Sequence, residues 1–244
     1  MVRSRVWSIL VLSGLMAVSV PAVAQGPDSI SQALEGRRSH YADIAQQIWN
    51  FAEVGYQEQR SSELLQSELR SAGFEIESGV AGMPTAFVAS YGAGSPVIGI
   101  LAEFDALPGI AQSVATERAP ISGQAAGHAC GHHLFGTGST AAAIATREWL
   151  EQTGTEGTVR LYGTPAEEGG AGKVYMVRAG MFEDVDAVLA WHPSDTNDAS
   201  PSDSLANISA KFRFHGVSAH AAAAPDQGRS ALDGVEAMNH MVNL

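Results

Sequence analysis

The spacing of apolar residues alternates along the chain between a helical period and an extended one. In residues 30–52, apolar side chains such as Ile44 and Ile48 recur near helical spacing, and Gly55 is placed to end that helix. In residues 97–101 nearly every side chain is apolar, which is typical of a strand covered on both faces. The other predicted helices are residues 61–73, 138–150, 173–179 and 230–244. Ser61 and Ser62 are predicted to cap the first of these. The other predicted strands are residues 74–76, 85–90, 158–162, 187–191 (buried) and 205–214.

Strands that alternate with helices predict an α/β fold with a largely parallel sheet flanked by helices. In such sheets, ligands and catalytic groups gather at the carboxyl ends of the strands. Polar residues follow three of the predicted strands at that end: Glu103 and Asp105, Glu167 and Glu168, and His192. We therefore expect these side chains at one edge of the sheet.

The first residues have the three parts of a secretory signal peptide. Arg3 and Arg5 give a basic start, residues 6–20 are an apolar run, and a small-x-small cleavage signal ends at Ala24. The run is shorter than the about 20 apolar residues of a membrane span. We expect cleavage after Ala24 and a periplasmic or secreted product with no stable membrane span. The alternative is an uncleaved N-terminal anchor.

The composition is that of a folded globular protein rather than a disordered one. The 244-residue chain has 26 acidic residues against 14 Lys and Arg, a formal charge of −12, and 45% of its residues are hydrophobic. The sequence has no basic run, so nucleic acid is not an expected partner. Cys130 is the single cysteine, and an exported free thiol is open to oxidation unless something occupies or buries it.

Cys130 and His132 are two residues apart, on a glycine-flanked turn before a predicted helix. Thiolate and imidazole are both good ligands of a borderline-soft divalent ion, and a helix N-terminus favours a thiolate. The pair is therefore a candidate metal site, and a bound ion would explain how the thiol survives export. The alternative is a chance arrangement at a helix start, with an inert buried cysteine.

Two adjacent carboxylates, Glu167 and Glu168, leave a predicted strand and enter a glycine loop. Because consecutive side chains diverge, one can bind a metal while its neighbour accepts a proton from water. A solvated acidic turn is the alternative for such a pair considered alone.

His192 ends an apolar strand, and Asp105 follows another strand with Glu103 on the same face. A carboxylate behind a ligand histidine would orient the ring and raise its basicity. Taken singly, a lone histidine is more often structural, and two acids before Pro108 can simply form a turn. Because all of these motifs fall at strand ends of one sheet, we favour a shared metal site over unrelated structural accidents.

Five segments occur in an order that resembles metallopeptidase family M20: AEFDALPGI, GHACGHH, GTPAEEGG, LAWHP and FHGVSAHAAAAPDQGRSALDG. The resemblance spans residues 25–244. It is strongest for the amidohydrolase subfamily D and, within it, for the p-aminobenzoyl-glutamate hydrolases. It implies an α/β, metal-dependent exopeptidase-like sheet domain flanked by helices, with the start of an inserted α/β lid and dimerisation domain.

Transferred position by position, the resemblance implies these roles: metal ligands Cys130, His132, Glu168 and His192; general base Glu167; ligand-orienting acid Asp105; and substrate-binding lid histidine His220. It also implies two divalent ions, zinc or manganese, and a homodimer formed through the lid. The implied substrate is an N-acyl amino acid, with p-aminobenzoyl-glutamate as the leading candidate. His133 stands where many relatives have aspartate, a variation expected to tune the second ion.

The resemblance divides the chain into a signal peptide (1–24), the N-terminal part of the catalytic domain (25–203) and the start of the lid (204–244). The family's last ligand histidine and final strands have no counterpart, so we expect a C-terminal truncation. The expected function is a metal-dependent amidohydrolase with Glu167 as general base. The alternatives are a truncated, catalytically incompetent metal-binding remnant and a thiol-nucleophile protein based on Cys130, in which the glutamate pair has no role.

Overall fold

The computed structural model describes residues 26–192, 194–196, 198–199, 205–206 and 208–244. The predicted signal peptide and the predicted domain boundary at 203–204 lie outside these described residues. Contacts within the chain divide it into one unit that ends at Asp195 and a second that begins at Thr196.

The first unit is built on a mixed β-sheet. Its strands are β1 Glu75–Ser78, β2 Phe87–Ala93, β3 Val97–Ala102, β4 Leu107–Pro108, β5 Ala126–Gly127, β6 Gly157–Gly163 and β7 Ala187–Leu189. Among the described residues, five strands form the main sheet in the order β1-β2-β6-β3-β7, and β4 pairs with β5 separately.

The directions of the strands correct the prediction of a largely parallel sheet. Strands β6, β3 and β7 are parallel, because helical connections carry the chain from β3 to β6 and from β6 to β7. Strand β2 runs antiparallel to β6, since only residues 94–96 separate β2 from β3 and so short a connection reverses the chain. Strand β1 extends this antiparallel part of the sheet.

The helices of the first unit cover both faces of the sheet. They are α1 Pro27–Glu35, α2 Arg38–Phe51, α3 Gln59–Ser71, α4 His132–Thr153, the single turn α5 Glu167–Gly170 and α6 Gly172–Arg178. The predicted helix 30–52 is therefore two helices, and α4 begins six residues before its predicted start at residue 138.

The start of α3 also differs from the prediction, because Ser61 and Ser62 do not cap it. The helix begins at Gln59, and both serines lie inside its first turn. The Ser61 hydroxyl donates to Oε2 of Glu53, and the Ser62 hydroxyl donates to the carbonyl of Thr85. Packing against these partners buries the serines and moves the helix start.

The main core lies between α2, α3, α4 and one face of the sheet. Its buried side chains are Ile44, Ile48, Leu65, Leu69, Phe74, Phe87, Ala89, Ile100, Ala102, Phe104, Ala143, Ile144, Val159 and Leu161. Burial of a large apolar side chain of this kind stabilises the fold by about 1.5–3 kcal/mol. A second cluster, which includes Tyr162 and Met176, packs α6 against the opposite face.

The strand predicted at residues 187–191 is shorter and less buried than its apolar sequence suggests. β7 ends at Leu189, and all three of its residues are exposed. Val188 retains 44% and Leu189 58% of its accessible surface. Among the described residues β7 pairs with β3 alone, so it lies at the edge of the sheet.

The second unit contains helix α7 Ala231–Val242, close to the predicted 230–244. The Ser230 hydroxyl caps this helix by accepting a hydrogen bond from the Asp233 N–H at 3.1 Å. The strand predicted at 205–214 is wrong for its described residues, which pair with no neighbouring strand and so form no ladder. None of the helices in the described ranges is long and apolar enough to cross a membrane.

Candidate metal centre

Three parallel strands end at the edge of the sheet that carries the candidate site. Ala102, the last residue of β3, pairs with Gly163, the last residue of β6, so these strands end side by side. Strand β7 pairs with the other side of β3 in the same direction. The residues that follow these strands therefore meet at one edge, as the sequence predicts: Glu103, Asp105, Glu167, Glu168 and His192.

The first turn of α4 adds His132 to this edge. A Cβ atom on Gly136 would lie 2.9 Å from the Glu103 carbonyl oxygen, so α4 can approach the segment after β3 only with glycine here. The Ser139 hydroxyl fastens the same helix by donating to the Leu101 carbonyl at 2.6 Å. His132 is fully buried as a result, with 0% of its surface exposed.

Asp105 holds the His132 ring in place. Nδ1 of His132 lies 2.9 Å from Oδ1 of Asp105, and Oδ2 of Asp105 accepts the Glu168 N–H at 2.9 Å. Burial alone would raise the pKa of Asp105, but the hydrogen bonds from His132 and Glu168 outweigh burial and lower that pKa. A charged Asp105 keeps the ring proton of His132 on Nδ1 and leaves Nε2 free to bind a metal.

Nε2 of His132 faces three carboxylates. It lies 3.1 Å from Oε2 of Glu103, 3.7 Å from Oε2 of Glu167 and 4.0 Å from Oε1 of Glu168. Ligand atoms of Cys130, His132 and Glu168 all lie within 4.8 Å of one another, and so do those of Glu103, His132 and Glu167. Such separations are compatible with one ion about 2.0–2.3 Å from each ligand atom.

His192 lies on the Cys130 side of this cluster. Its Nε2 is 3.4 Å from Sγ of Cys130. Its ring packs against buried Phe135 with the ring centroids 5.0 Å apart. The residue after β7 is thus in direct contact with a candidate ligand from the start of α4.

The donor set fits a divalent cation. Nε2 of His132 and Oε1 of Glu168 are buried without a hydrogen-bond partner in the described part of the chain, whereas buried polar atoms are normally paired. The three glutamates around Nε2 place negative charge there, and Lys173 pairs with only one of them, Glu103. Sulfur, imidazole and carboxylate are together the ligands of zinc and similar ions.

The thiol of Cys130 is held in its protonated form in the absence of a cation. Burial first, and then the negative charges of Glu168, Glu167 and Glu103, raise its pKa to about 11. This corrects the expectation that the start of α4 favours the thiolate, because nearby carboxylates outweigh the helix terminus. A divalent ion reverses the balance, since a coordinated thiol is deprotonated.

Glu167 differs from its neighbours in exposure. Its side chain is 44% exposed, against 20% for Glu168 and 17% for Glu103. Burial and then the charge of Glu103 raise the pKa of Glu167, while Lys173 lowers it. A carboxyl group with a raised pKa at the solvent side of the cluster can take up and release a proton.

Six of the predicted site residues come together in the first unit: Asp105, Cys130, His132, Glu167, Glu168 and His192. The remaining one, His220, belongs to the second unit. There its Nδ1 accepts the N–H groups of Ala222 and Ala223 at 3.2 and 3.1 Å.

The sequence places Glu103 at this edge through the alternation along its strand but assigns it no role in the site. Lys173 is not predicted there at all, because only the fold brings α6 to this edge. His133, which was expected to tune a second ion, packs its ring against Trp49 with the centroids 4.9 Å apart.

Comparison with known proteins identifies the family of this site. The sequence profile of Peptidase family M20/M25/M40 matches residues 99–231, more than half of the chain and all of the candidate metal centre. The chain belongs to peptidase family M20. Its M20 fold is also found in the dinuclear metal binding peptidase of that family from Bacillus subtilis, with a TM-score of 0.52 and 25% identity, covering 69% of this chain and 44% of that one.

Two M20 relatives are similar in sequence over most of the chain. The chain is 49% identical over 216 residues to one of the subunits of p-aminobenzoyl-glutamate hydrolase from Escherichia coli, covering 88% of this chain and 45% of that protein. It is 34% identical over 203 residues to Xaa-Arg dipeptidase of Mus musculus, covering 78% of this chain and 43% of that protein. The chain thus spans less than half the length of these M20 relatives.

Proposed function

We propose that this chain is the metal-binding part of a hydrolase that cleaves the amide bond of N-acyl amino acids. The observation that carries the proposal is the convergence of Cys130, His132 and Glu168 at the carboxyl edge of parallel strands. The two relatives support it, because one is a p-aminobenzoyl-glutamate hydrolase and the other a dipeptidase, and both names describe cleavage of an amide bond.

Cys130, His132 and Glu168 would hold a zinc or manganese ion, with His192 as a further ligand beside Cys130. We expect two ions in the loaded protein, since the similar Bacillus subtilis peptidase is dinuclear. When bound, such an ion lowers the pKa of a water molecule and polarises the amide carbonyl of the substrate. Asp105 keeps His132 and Glu168 in position for this role.

Glu167 serves as the general base. It is the more exposed of the adjacent pair and its pKa is raised, so it can accept a proton from the attacking water and pass that proton to the leaving nitrogen. Lys173 offsets part of the negative charge that Glu103 exerts on Glu167. Glu168 keeps a separate role as a ligand.

The leading substrate is p-aminobenzoyl-glutamate, whose hydrolysis yields p-aminobenzoate and glutamate. The formal charge of −12 gives no long-range attraction for this anion, so recognition depends on local groups. His220 would bind the substrate carboxylate or the developing oxyanion. Because its Nδ1 accepts backbone N–H groups, the neutral ring carries its proton on Nε2 and can donate it in a hydrogen bond.

Export and assembly complete the proposal. Residues 1–24 would direct the chain to the periplasm or out of the cell and be removed there. The whole protein would form a homodimer through its lid domain. Assembly of some kind is supported by the Escherichia coli relative, which is named as a subunit.

The test is to remove metal from the purified chain, restore zinc or manganese, and follow release of p-aminobenzoate from p-aminobenzoyl-glutamate. Stoichiometric uptake with release that stops on chelation supports the proposed function. Uptake without turnover by the folded chain favours the catalytically incompetent remnant. Hydrolysis by a metal-free chain that ends on alkylation of Cys130 favours the thiol nucleophile.

A further inference from the structure

Glu58 is a buried carboxylate that is not among the residues of the metal centre. It is 0% exposed, and none of the ion pairs in the described residues includes its carboxylate. Oε1 accepts the N–H of Ala166 at 2.9 Å, and Oε2 accepts the hydroxyl of Thr85 at 3.0 Å. Burying a carboxylate is costly, so these two hydrogen bonds need a structural or functional reason.

Capping of α3 is not that reason. Glu58 occupies the N-cap position of α3, but its side chain makes no capping hydrogen bond there. The carboxylate of Glu53 accepts the N–H groups of Arg60 and Ser61 instead, at 3.2 and 2.9 Å. The Glu58 side chain is thereby free to reach across to Ala166, which lies 108 residues further along the chain.

Ala166 has a backbone conformation that requires support. It has φ 56° and ψ 43°, the left-handed region that residues with a Cβ atom rarely adopt. It is 1% exposed and stands immediately before Glu167 and Glu168. A change in the Ala166 dihedral angles would redirect both glutamates, because they follow it in the chain.

The segment before α3 packs closely on this turn. A Cβ atom on Gly55 would lie 2.8 Å from Cβ of Ala166, so the two backbones approach as closely as glycine allows. The hydroxyl of Tyr56 donates to the carbonyl of Gly170 at 2.6 Å. Both ends of the turn that carries Glu167 and Glu168 are therefore in contact with residues 55–58.

Two carboxylates hold the turn through N–H groups that are two residues apart. Glu58 binds the N–H of Ala166, and Asp105 binds the N–H of Glu168, each at 2.9 Å. Glu167 lies between these two fixed points. We propose that Glu58 is a positioning residue, whose carboxylate locks the left-handed Ala166 turn and so directs Glu168 to the metal and Glu167 to the substrate side. This inference rests on the proposed function of the centre.

The test compares zinc affinity in Glu58→Met, which removes the acceptor at similar length, with Glu58→Gln, which keeps an acceptor oxygen for the Ala166 N–H. We expect Glu58→Met to bind zinc about 10–100-fold more weakly, as for other residues that orient metal ligands. Glu58→Gln should bind zinc with an affinity close to that of the wild type. Where p-aminobenzoyl-glutamate is hydrolysed, Glu58→Met should lower kcat more than it changes KM.

Thr85→Val is the matched control, because it removes the other hydrogen bond of the same carboxylate and leaves Ala166 bound. It should lower the unfolding temperature without weakening zinc binding. Equal zinc affinity in folded Glu58→Met and wild type overturns the inference, and so does a Thr85→Val loss as large as that of Glu58→Met. A folded wild-type chain that binds no zinc overturns the proposed function itself.

A measurement on the wild type keeps the inference testable if Glu58→Met does not fold. Hydrogen exchange should show the Ala166 and Glu168 N–H groups as protected as those of β6, because both donate to buried carboxylates. Rapid exchange of the Ala166 N–H in the folded chain would show that Glu58 does not hold the turn.

Discussion

Asp105 links His132 to Glu168 through its two carboxylate oxygens. Oδ1 lies 2.9 Å from Nδ1 of His132, and Oδ2 accepts the N–H of Glu168 at 2.9 Å. These two candidate ligands come from different elements, the start of α4 and the turn after β6. One buried side chain therefore sets the distance between them before any ion arrives.

Asp105→Asn should weaken zinc binding about 10–100-fold, because an amide has one acceptor oxygen and cannot serve both His132 and Glu168 as a carboxylate does. Zinc titration against a competing chelator measures the effect. Asp184→Asn is the control, since Asp184 is exposed and pairs with Arg160. Equal affinities in the two variants would contradict the role of Asp105.

Substitutions of the two adjacent glutamates should have different effects on zinc binding and on hydrolysis. Glu167→Gln should retain zinc but lose about 10²–10⁴-fold in hydrolysis, the range for loss of a general base. Glu168→Gln should lose zinc affinity, because it removes a charged ligand. Metal analysis and p-aminobenzoate release on both variants check this prediction. Loss of zinc from Glu167→Gln with retention in Glu168→Gln would mean that the two roles are exchanged.

The hydrogen bonds of Glu53 at the start of α3 should make the free energy of unfolding fall in acid. Burial raises the pKa of Glu53, but hydrogen bonds from Ser61 and Arg60 outweigh burial and lower it. A lowered pKa means that this stabilisation is complete above the ordinary carboxyl pKa of about 4.3 and is lost as the pH falls through the folded-state value.

Glu53→Gln should therefore reduce the free energy of unfolding by about 1–3 kcal/mol at pH 7 and flatten its decline below pH 5. Urea unfolding at a series of pH values measures both effects. Glu63→Gln, at an exposed position of α3, should keep the wild-type decline. If Glu53→Gln declines as steeply as the wild type, Glu53 does not carry this acid sensitivity.

Sequence patterns predicted most elements of the first unit and the edge of the site, because hydrophobic period and the strand-end rule can both be applied to the sequence alone. Hydrophobic period located β3 and β6, and the rule for strand carboxyl ends placed Asp105 and Glu168 at the same edge. The hydrophobic pattern could not give the direction of each strand, because direction depends on whether short connections such as residues 94–96 reverse the chain.

The parts of the site that the sequence did not reveal depend on long-range contacts. Glu58 reaches Ala166 only because the segment before α3 packs on the turn after β6. Lys173 reaches Glu103 only because α6 returns to the end of β3. The exposure of β7 was missed for a related reason, since an apolar sequence does not tell how many neighbours a strand has.

Zinc uptake by the metal-free, folded chain shows whether Cys130, His132 and Glu168 form a metal centre, with alkylation of the single Cys130 as the readout of where the zinc binds. Alkylation is run at alkaline pH, because the metal-free thiol is protonated near neutrality and only the thiolate reacts. We predict stoichiometric zinc that shields Cys130 from iodoacetamide, and a thiol that becomes reactive again when the zinc is chelated. A folded chain that takes up no zinc, or that binds zinc while Cys130 stays equally reactive, would contradict this prediction.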